Sequence, residues 1–483
     1  MKDQQLSLLH LKKSLIFDEH PFDSYPTKVL SWNSSTDCCS WLGVTCSTDG
    51  RAVGLDLSRE SISGGIDNSS SLFNLQHLQS LSLADNRFGY DSSIPSAIGK
   101  LTNLRYLNLS NNEYSGKIPI EISLLTRLVV LDISYVQAIT SPKFSMLFQN
   151  LTELTEVYLD AADLSAQGTQ WCQAISSSLP NLEVLSLSNC GLSGFFANLS
   201  KLSFLSLRGC WLQGLVAKEI FQIPSLQTID LSLNQELHGS LPELPNNGSL
   251  RHLDLTLTKF SGLLPDSIGN LKMLSMIDLS GCSFTGSIPK TMGNLTQLVY
   301  LDLSSNMFNG PIDSIHWEKL INLVQLQLND NLLEGSIPLS LFCLPLLPEL
   351  FLFKNHFSGQ LPDFSNGNFS SNLIVLDFSF NNLEGQVPVS IFNFRGLTVL
   401  DLSSNNFSGF PFNGPQQLTN LSSINLSYNS VQILYNGTSS SYSSFPQIDS
   451  LTLASNKLTT IPDFLRNQST LGDLDLSANH IML

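Results

Sequence analysis

One spacing pattern recurs along almost the whole of this 483-residue chain and constrains its fold more than any other feature. The pattern is Leu-x-x-Leu-x-Leu-x-x-Asn, and a clean copy runs from Leu298 through Leu301 and Leu303 to Asn306. With a degenerate copy around residue 55, it defines about eighteen units, spaced roughly 25 residues apart. The regular copies start at residues 78, 104, 128, 154, 182, 202, 226, 250, 274, 298, 323, 347, 373, 397, 421, 448 and 471. A repeat of this length predicts a solenoid rather than the roughly three separate domains that length alone would suggest.

The spacing within one unit predicts how that unit folds. Two leucines separated by one residue mark a short β-strand whose leucines point to one face. One unit cannot bury these leucines alone, but stacked units bury them as a continuous core and align their strands into a long parallel sheet. The Asn that follows is expected to turn its amide inward and to hydrogen-bond loop backbone that no regular ladder satisfies. We therefore predict an α/β leucine-rich-repeat solenoid with the strands on its concave face.

The second half of the unit carries its own signature, Gly-x-Ile/Leu/Val-Pro. Copies occupy residues 116–119, 262–265, 286–289, 335–338, 359–362 and 385–388. Gly permits a tight backbone and Pro stops the growth of a strand ladder. This form resembles the extracellular leucine-rich repeats of plants, and the resemblance implies a second short sheet and a twisted horseshoe or superhelix.

The first 51 residues are expected to form a cap, with the solenoid over residues 52–483. Residues 3–17 have the spacing of an amphipathic helix, with an apolar side expected at Leu6, Leu9, Leu15 and Ile16. Trp32 and the segment 38–46 follow, and they resemble the N-terminal cap of plant extracellular leucine-rich-repeat proteins. A solenoid needs such a cap because the coil at each end otherwise exposes core residues.

The same resemblance implies a disulfide. In that cap the second Cys of an adjacent pair bridges to the Cys seven residues on, which here implies Cys39–Cys46. The partner of Cys38 would precede the helix, where this sequence has no Cys. The sequence also begins without a signal peptide and ends soon after Asn479 without a C-terminal cap or membrane helix. We therefore expect a fragment of a longer precursor or a truncated gene product.

Composition and motifs narrow the function. The chain has 24 Lys and Arg against 40 Asp and Glu, a net charge of −16, which disfavours nucleic acid as a partner. No apolar run approaches the roughly 20 residues that span a bilayer. The sequence has no Gly-x-Ser-x-Gly, phosphate loop, His-Glu-x-x-His or Cys-x-x-Cys motif, so we predict no enzyme, no cofactor and no metal site.

An aspartate column follows the strands, one residue per coil. Its members are Asp230, Asp254, Asp278, Asp302, Asp377, Asp401 and Asp475. One interpretation is a ladder of metal ligands. The favoured interpretation is solvated strand residues that bond neighbouring Ser hydroxyls.

A binding surface remains as the function that the repeat supports. Exposed aromatic and Arg side chains are the types that anchor protein interfaces. Larger groups between the strand leucines are therefore predicted to bind ligand: Tyr106, Tyr135, Tyr158, Phe204, Arg208, Arg251, His252, Phe351, Phe353 and Lys354. The three tyrosines occupy successive coils and are expected to form one stripe. They adjoin the most irregular coils, where Val136, Ala162, Cys190 and Cys210 replace the Asn, and such departures mark local function.

Sequons and cysteines complete the pattern. Predicted glycosylation sites are Asn33, Asn68, Asn150, Asn198, Asn247, Asn294, Asn368, Asn406, Asn436 and Asn467, whereas Asn108 and Asn425 lie between strand leucines and are doubtful acceptors. Cys190, Cys210 and Cys282 stand where the frame expects Asn and are predicted to be structural. Many sequons together with a disulfide cap favour a secreted glycoprotein.

Several segments resemble the Verticillium-resistance-type receptor-like proteins of plants: 60–66, 80–86, 170–173, 179–182 and 436–440. The resemblance implies a cell-surface immune receptor at the extracellular face of the plasma membrane, which lacks a kinase of its own. It also implies a microbial or apoplastic protein or peptide ligand, and partner receptor kinases that contact later repeats absent from this sequence. Two alternatives remain open: a soluble inhibitor of microbial cell-wall-degrading enzymes, and the ectodomain of a receptor kinase.

Overall fold

The computed structural model describes residues 2–18, 27–89, 92–136, 139–192, 199–365, 369–370, 372–412, 420–432 and 445–482. The chain divides into two compact units, Met1–His238 and Gly239–Leu483. Both are built from stacked coils, and nearly every coil gives a three-residue strand to a parallel sheet. We call the solvent-facing side of this sheet the strand face; it carries the first and third residues of each short strand.

In the first unit the strands pair in chain order, coil upon coil. Their bounds are β3 Ala52–Asp56, β5 Ser80–Ser82, β6 Tyr106–Asn108, β8 Val130–Asp132, β10 Glu156–Tyr158, β11 Val184–Ser186, β12 Phe204–Ser206 and β14 Thr228–Asp230. The strand β2, Val44–Cys46, pairs antiparallel with β3 and starts the sheet.

In the second unit the same arrangement continues through ten strands. Their bounds are β16 His252–Asp254, β18 Met276–Asp278, β20 Tyr300–Asp302, β22 Gln325–Gln327, β24 Glu349–Phe351, β26 Val375–Asp377, β28 Val399–Asp401, β30 Ser423–Asn425, β31 Ser450–Thr452 and β32 Asp473–Asp475. The register is uniform, since Leu400 faces Leu376 on one side and Ile424 on the other. Every strand of this unit before β32 therefore buries its central apolar residue at the same level.

A second set of strands, which we call the back strands, lies outside the strand-face sheet, as the plant-type signature implies. In the first unit these are β1 Ile16–Phe17, β4 Ile62–Gly64, β7 Gly116–Lys117, β9 Ile139–Thr140, β13 Gln213–Leu215 and β15 Glu236–Gly239. In the second unit they are β17 Lys259–Leu263, β19 Ser283–Ser287, β21 Met307–Gly310, β23 Leu332–Gly335, β25 His356–Gly359, β27 Asn382–Gln386 and β29 Asn406–Gly409, and these seven pair in order. Each ends close to the Gly-Pro signature.

Short helical turns return the chain to the next strand. Seven 3-10 turns start directly after a proline. These prolines are Pro95, Pro119, Pro265, Pro289, Pro338, Pro388 and Pro462. Proline fits there because its fixed φ suits a helix start and its missing N–H is not needed. Three α-helices occur among the described residues: α1 Lys2–Ser14, α2 Phe144–Leu147 and α3 Trp171–Ser178.

The asparagines that follow the strands join neighbouring coils, as predicted. Asn381, for example, donates from Nδ2 to the carbonyls of Phe378 and Ser379 in its own coil and to Leu352 in the coil before. Its Oδ1 accepts from the N–H of Phe357, 3.0 Å away. One side chain thus satisfies four loop groups that would be costly to bury unpaired. We call this column of side chains the amide ladder.

The core is apolar and repeats with the coils. The apolar strand residues are almost fully buried in every coil before the last, in which Leu474 is 47 % exposed. In the second unit the first residue of each back strand is followed by a buried Leu or Phe. Phe284 and Phe308 stack with ring centroids 6.0 Å apart and are fully buried. The sheets and the repeated core confirm the predicted leucine-rich-repeat fold.

The cap is cross-linked and bonded to the first coil. The disulfide Cys39–Cys46 is present, as the resemblance implied, and Trp32 stacks on Trp41 with centroids 5.4 Å apart. Glu60 occupies the ladder position of the first coil and is fully buried. Its carboxylate accepts from the backbone N–H groups of residues 27, 28 and 29. Glu60 therefore anchors the cap to the solenoid.

The expected apolar side of the first helix is confirmed at Leu15, which is 7 % exposed, and wrong at Leu6 and Ile16. Leu8 and Leu11 are fully buried, whereas Leu6 and Ile16 are more than half exposed. The helix packs on the 3-10 turn Ser71–Asn74, and Ser71 donates to the carbonyl of Ser7. This contact selects the side that carries Leu8 and Leu11, because the turn covers those positions.

Candidate ligand-binding surface

The strand face repeats one small structure at the third residue of each strand. The Asp at this position accepts, at Oδ1, from the N–H and Oγ–H of a Ser two residues later in the same coil. Asp401 and Ser403 illustrate the contact, with distances of 2.9 and 2.6 Å. The same N–H contact recurs at Asp132, Asp230, Asp254, Asp278, Asp302, Asp377 and Asp475. The aspartate column therefore bonds neighbouring Ser groups, in agreement with the favoured interpretation.

Burial affects the titration of this column. It raises the pKa of Asp302 above its usual value, with opposition from the Ser304 hydrogen bonds and reinforcement from the Asp278 charge. Asp132 and Asp377 have raised pKa values for the same leading reason. Solvent-exposed Asp475 has a lowered pKa because its Ser477 bonds dominate.

Immediately before each ladder residue the backbone is left-handed. The φ angles of these residues lie between 51° and 63°, and only Gly209 and Gly281 among them are glycines. We call this the exit position. Four exit residues are large, apolar and 44 to 63 % exposed, namely Tyr135, Leu257, Phe380 and Tyr428. A left-handed backbone at a bulky residue costs about 1 kcal/mol, so these exposed groups are held at an energetic cost.

The predicted tyrosine stripe is wrong in its geometry. Tyr106 is the first residue of its strand and pairs with Val130, which pairs with Glu156. Tyr158 is the third residue of its strand, level with Asn108, and Tyr135 occupies an exit position. The strand leucines fix the register of neighbouring coils. The three tyrosines differ in their sequence distance from these leucines, so they lie in different columns of the strand face.

Each tyrosine instead contacts its own surroundings. Tyr158 donates from its hydroxyl to Glu156, 2.9 Å away, and burial together with this contact raises its pKa. Tyr106 accepts at its hydroxyl from the amide of Asn108. Tyr135 is 53 % exposed; burial and the Asp160 charge raise its pKa, and the Arg208 charge opposes them.

The irregular coils carry a polar network centred on a buried carboxylate, that of Asp160. Asp160 stands where other coils have Ser, and it is 7 % exposed. It accepts from the Ser186 hydroxyl at 2.7 Å and from the Ser188 N–H at 2.6 Å, both in the next coil. The Ser188 hydroxyl contacts Ser206 at 2.8 Å. Tyr158 occupies the position at which other coils have Asp. The carboxylate of this coil, that of Asp160, therefore lies two residues later, and its hydrogen bonds reach the next coil.

Arg208 lies beside this network. Its guanidinium donates to the Ser232 hydroxyl at 3.0 Å, and the side chain is exposed. Phe204 is the first residue of the same coil's strand and is half-buried. The first unit therefore brings Tyr135, Asp160 and Arg208 into electrostatic reach of one another.

The predicted ligand contacts of the second unit lie in two separate places. Arg251 and His252 are both exposed at its first strand. Phe351 and Phe353 lie four coils further along, and their rings meet edge to face with centroids 6.2 Å apart. Lys354 follows directly at an exit position and is exposed. These residues remain predicted ligand contacts.

Predicted glycosylation sites are mostly accessible. The exposed ones are Asn33, Asn68, Asn150, Asn247, Asn294, Asn406 and Asn467, whereas Asn198, Asn368 and Asn436 lie outside the described residues. The two doubtful acceptors are half-buried and donate their amides within the strand face, Asn108 to Tyr106 and Asn425 to Asp401.

Sequence reasoning missed a groove at the amino ends of three strands in the first unit. It has a volume of about 430 Å³ and is lined by Gln79, Asn103, Arg105, Thr126, Arg127 and Glu153. The available signal was a pair of arginines in an acidic chain, one directly after the first leucine of a frame and the other directly before the first leucine of the next frame.

The ladder cysteines are buried as expected. Cys190 donates from Sγ to the carbonyl of Leu159 at 3.0 Å, and Cys210 to that of Leu187 at 2.7 Å. Burial raises the pKa of Cys210 to about 12, so its thiol stays protonated. Cys282 is half-buried and also donates to a ladder carbonyl, that of Leu255.

Comparisons with known families agree with the fold. Residues 1–47 match the leucine rich repeat N-terminal domain. The Leucine Rich Repeat family matches residues 77–101, 103–125, 181–202, 249–271, 273–295, 372–394 and 396–418.

The similar proteins of known sequence are plant receptor-like proteins. Receptor-like protein 6 of Arabidopsis thaliana is 40 % identical over 255 residues, 52 % of this chain and 24 % of that protein. Receptor-like protein Cf-9 of Solanum pimpinellifolium is 31 % identical over 290 residues, 56 % of this chain and 30 % of that protein. The alignments thus span less than a third of the relatives, and they confirm the predicted resemblance to plant receptor-like proteins.

A solved structure extends the likeness to nearly the whole chain. The Arabidopsis receptor kinase HAESA, crystallised with the peptide hormone IDA and the co-receptor SERK1, aligns over 99 % of this chain and 90 % of its own. The TM-score is 0.67 and the sequence identity 25 %. Among the described residues, no helix has the length and apolarity that crossing a membrane requires.

Proposed function

We propose that this chain, a leucine-rich-repeat protein similar to plant receptor-like proteins, is the ligand-recognising ectodomain of such a receptor in pathogen perception and defence signalling. The observation that carries the proposal is the interrupted strand face of the first unit. Tyr158, Asp160 and Arg208 there replace the repeated Asp–Ser turn with larger and charged groups.

A regular strand face offers little for specific recognition. Its Asp and Ser groups are bonded to one another within each coil, as at Asp401 and Ser403. Where this pairing is broken, aromatic and guanidinium groups become accessible, and these types dominate binding energy at interfaces. The interruption therefore supports a specific contact in the irregular coils.

The proposed ligand is a protein or a peptide of microbial or apoplastic origin. HAESA was crystallised with a peptide hormone and a co-receptor, and its ectodomain aligns with nearly all of this chain. We propose that this chain likewise pairs with receptor kinases for signalling, since HAESA was crystallised together with its co-receptor.

We further propose that the chain acts without catalysis and at the cell surface. The sequence carries no catalytic motif, and strand-face aspartates such as Asp302 and Asp377 accept hydrogen bonds from Ser groups. A cap disulfide and accessible sequons such as Asn150 suit an oxidising, extracellular compartment.

The test is peptide binding mapped to the strand face. The full chain, secreted from plant cells, would be incubated with the peptide fraction of apoplastic fluid from infected leaves. A retained peptide would be synthesised, and its affinity measured by calorimetry for the wild type and for Tyr158→Ala/Arg208→Ala. We expect an affinity loss of at least about tenfold, since central aromatic and Arg contacts dominate interfaces.

The matched control is Trp211→Ala/Lys218→Ala, which removes an aromatic and a cation that lie outside the strand-face columns. Its affinity should stay within about twofold of the wild type. Equal losses in both variants would contradict the proposal. Inhibition of a microbial polygalacturonase by the chain would instead favour the inhibitor alternative.

A further inference from the structure

The groove lined by Arg105 and Arg127 concentrates positive charge in a strongly acidic chain. The two residues occupy consecutive coils, one just after the first frame leucine and the other just before the next. In the aligned frames no other coil places two cations at this pair of positions. The groove is therefore a local exception to the net charge of −16.

The backbone under Arg105 is fixed on both sides. Its N–H donates to the carbonyl of Gln79 at 2.7 Å, and its carbonyl accepts from the N–H groups of Val129 and Val130. The side chain is exposed and lines the groove. A guanidinium on such a rigid backbone loses less conformational entropy on ligand binding than one on a flexible loop.

Arg127 is positioned by a neighbouring amide. Asn103 donates to the carbonyl of Gln76 at 2.8 Å and accepts from Arg127 Nη1 at 2.9 Å. Within the described part of the chain, neither Arg105 nor Arg127 forms an ion pair with a carboxylate. Two guanidinium groups that lack carboxylate partners thus line one groove.

We propose that this groove binds a carboxylate of an acidic peptide ligand between Arg105 and Arg127. A guanidinium presents a planar fork of donors that matches a carboxylate in a bidentate manner. The choice of a peptide over an acidic polysaccharide rests on the function proposed above. Glu153 lines the same groove, so it repels a second carboxylate and sets the direction of the peptide.

The test uses a fluorescein-labelled hexaglutamate peptide and the full 483-residue chain. Fluorescence anisotropy is measured at low salt, where screening is weak. We expect Arg105→Gln/Arg127→Gln to lose at least about tenfold in affinity, because each charged hydrogen bond contributes strongly. Glu153→Gln should gain roughly two- to threefold by removing a like charge.

Two further variants separate shape from charge. Arg105→Lys/Arg127→Lys keeps both charges but lacks the fork, and it should lose about threefold or more. The matched control is Arg59→Gln/Lys201→Gln, which removes two exposed cations elsewhere. Lys201 donates to Asn181 at 2.9 Å, as Arg127 does to Asn103, but the Asn181 coil has Glu183 where the Asn103 coil has Arg105. This control should lose less than about twofold.

Several results would overturn the proposal. No binding of hexaglutamate, or equal losses in the control, would rule out the groove. Tighter binding of an oligogalacturonate than of hexaglutamate would rule out a peptide as its ligand. Capture of apoplastic peptides is a separate measurement, so its failure would contradict the proposed function while hexaglutamate binding still supported the groove.

Discussion

The second unit and the irregular coils of the first unit stabilise the stacking of neighbouring coils in two different ways. From Asn306 to Asn479 every ladder position is an asparagine that joins two coils through its amide. In the first unit the four positions from Val136 to Cys210 are apolar or thiol groups with 1 % exposure or less. The comparison shows that coil stacking does not require the amide at every step.

Apolar packing replaces the amides in the irregular coils. The helices α2 and α3 stand there in place of the short 3-10 turns that return the chain in regular coils. Phe144, Phe148, Trp171 and Ile175 lie on or directly after these helices and are buried. The Oδ1 atom of Asn112, next to this region, is buried without a hydrogen-bond partner. One region thus depends on directional bonds and the other on shape, and four substitutions test the difference.

The largest effect is expected in the irregular coils. Trp171→Ala empties a site that is 1 % exposed, and the lost burial and the cavity should lower the free energy of unfolding by about 3 to 5 kcal/mol. Urea unfolding followed by circular dichroism measures this. Trp211→Ala is the control, because Trp211 is 77 % exposed and its loss should change little. A cost for Trp171→Ala below that of the control would contradict packing as the stabilising principle there.

The regular ladder should respond to loss of one amide. Asn381→Leu keeps side-chain volume but leaves the Phe357 N–H without its acceptor and removes three donations to carbonyls. We expect a loss of about 2 to 3 kcal/mol in the free energy of unfolding. The half-buried Asn322, which donates to the carbonyl of Thr296 and lies outside the ladder, serves as the control. A similar loss in Asn322→Leu would show that the ladder position has no special role.

A smaller, opposite change tests whether the two designs are interchangeable. Cys210→Asn restores the amide, whose Oδ1 would accept from the N–H groups of Cys190 and Leu192, as Asn234 does from Cys210 and Leu212. Stability should rise by about 1 kcal/mol in urea unfolding. Cys343→Asn, outside the ladder, should bring no gain. Destabilisation by Cys210→Asn would mean that the irregular coils cannot accommodate the amide.

The smallest effect concerns the strand face of the second unit. Asp302→Asn keeps an oxygen for the Ser304 bonds, as Asn108 does for Ser110, and removes a buried charge beside Asp278. The raised pKa of Asp302 means that the wild type loses stability as pH rises above the usual 3.8. The variant should therefore gain on the order of 0.5 kcal/mol at pH 7, allowing for screening, and nothing at pH 3.

Thermal unfolding at both pH values measures this difference. Asp475→Asn is the matched control, because the Ser477 bonds lower the pKa of Asp475 and its replacement should not stabilise at pH 7. A gain for Asp302→Asn that is equal at pH 3 and pH 7 would contradict a charge effect.

The regular frame made the strands and the ladder predictable from sequence, whereas the second sheet was implied by the resemblance to plant extracellular repeats. A leucine pair fixes one strand, and identical neighbours fix its partners, so local pattern and long-range pairing carry the same information. The tyrosine stripe failed because Tyr106, Tyr135 and Tyr158 were compared by coil rather than by distance from the strand leucines. The column of a side chain follows from that distance, because the leucines set the register.

Other features depend on contacts that no spacing encodes. The buried side of the first helix was set by the turn it packs on, at Ser71, rather than by its own periodicity. Glu60 stands at a ladder position, and its carboxylate binds the cap backbone. The groove of Arg105 and Arg127 arises where two coils meet, and Asn103 orients one of its two guanidinium groups.

The left-handed exit position has a consequence for how such a chain can change over generations. Its backbone is held by the coil on either side, as where Phe380 donates to Ser403 and its carbonyl accepts from Asn355. Side chains as unlike as Arg59, Tyr135, Leu257 and Phe380 adopt the same conformation there. A mutation at this position alters an exposed group and leaves strand, core and ladder intact. The solenoid thus offers one site in each coil at which new recognition can be sampled by drift without risking the fold.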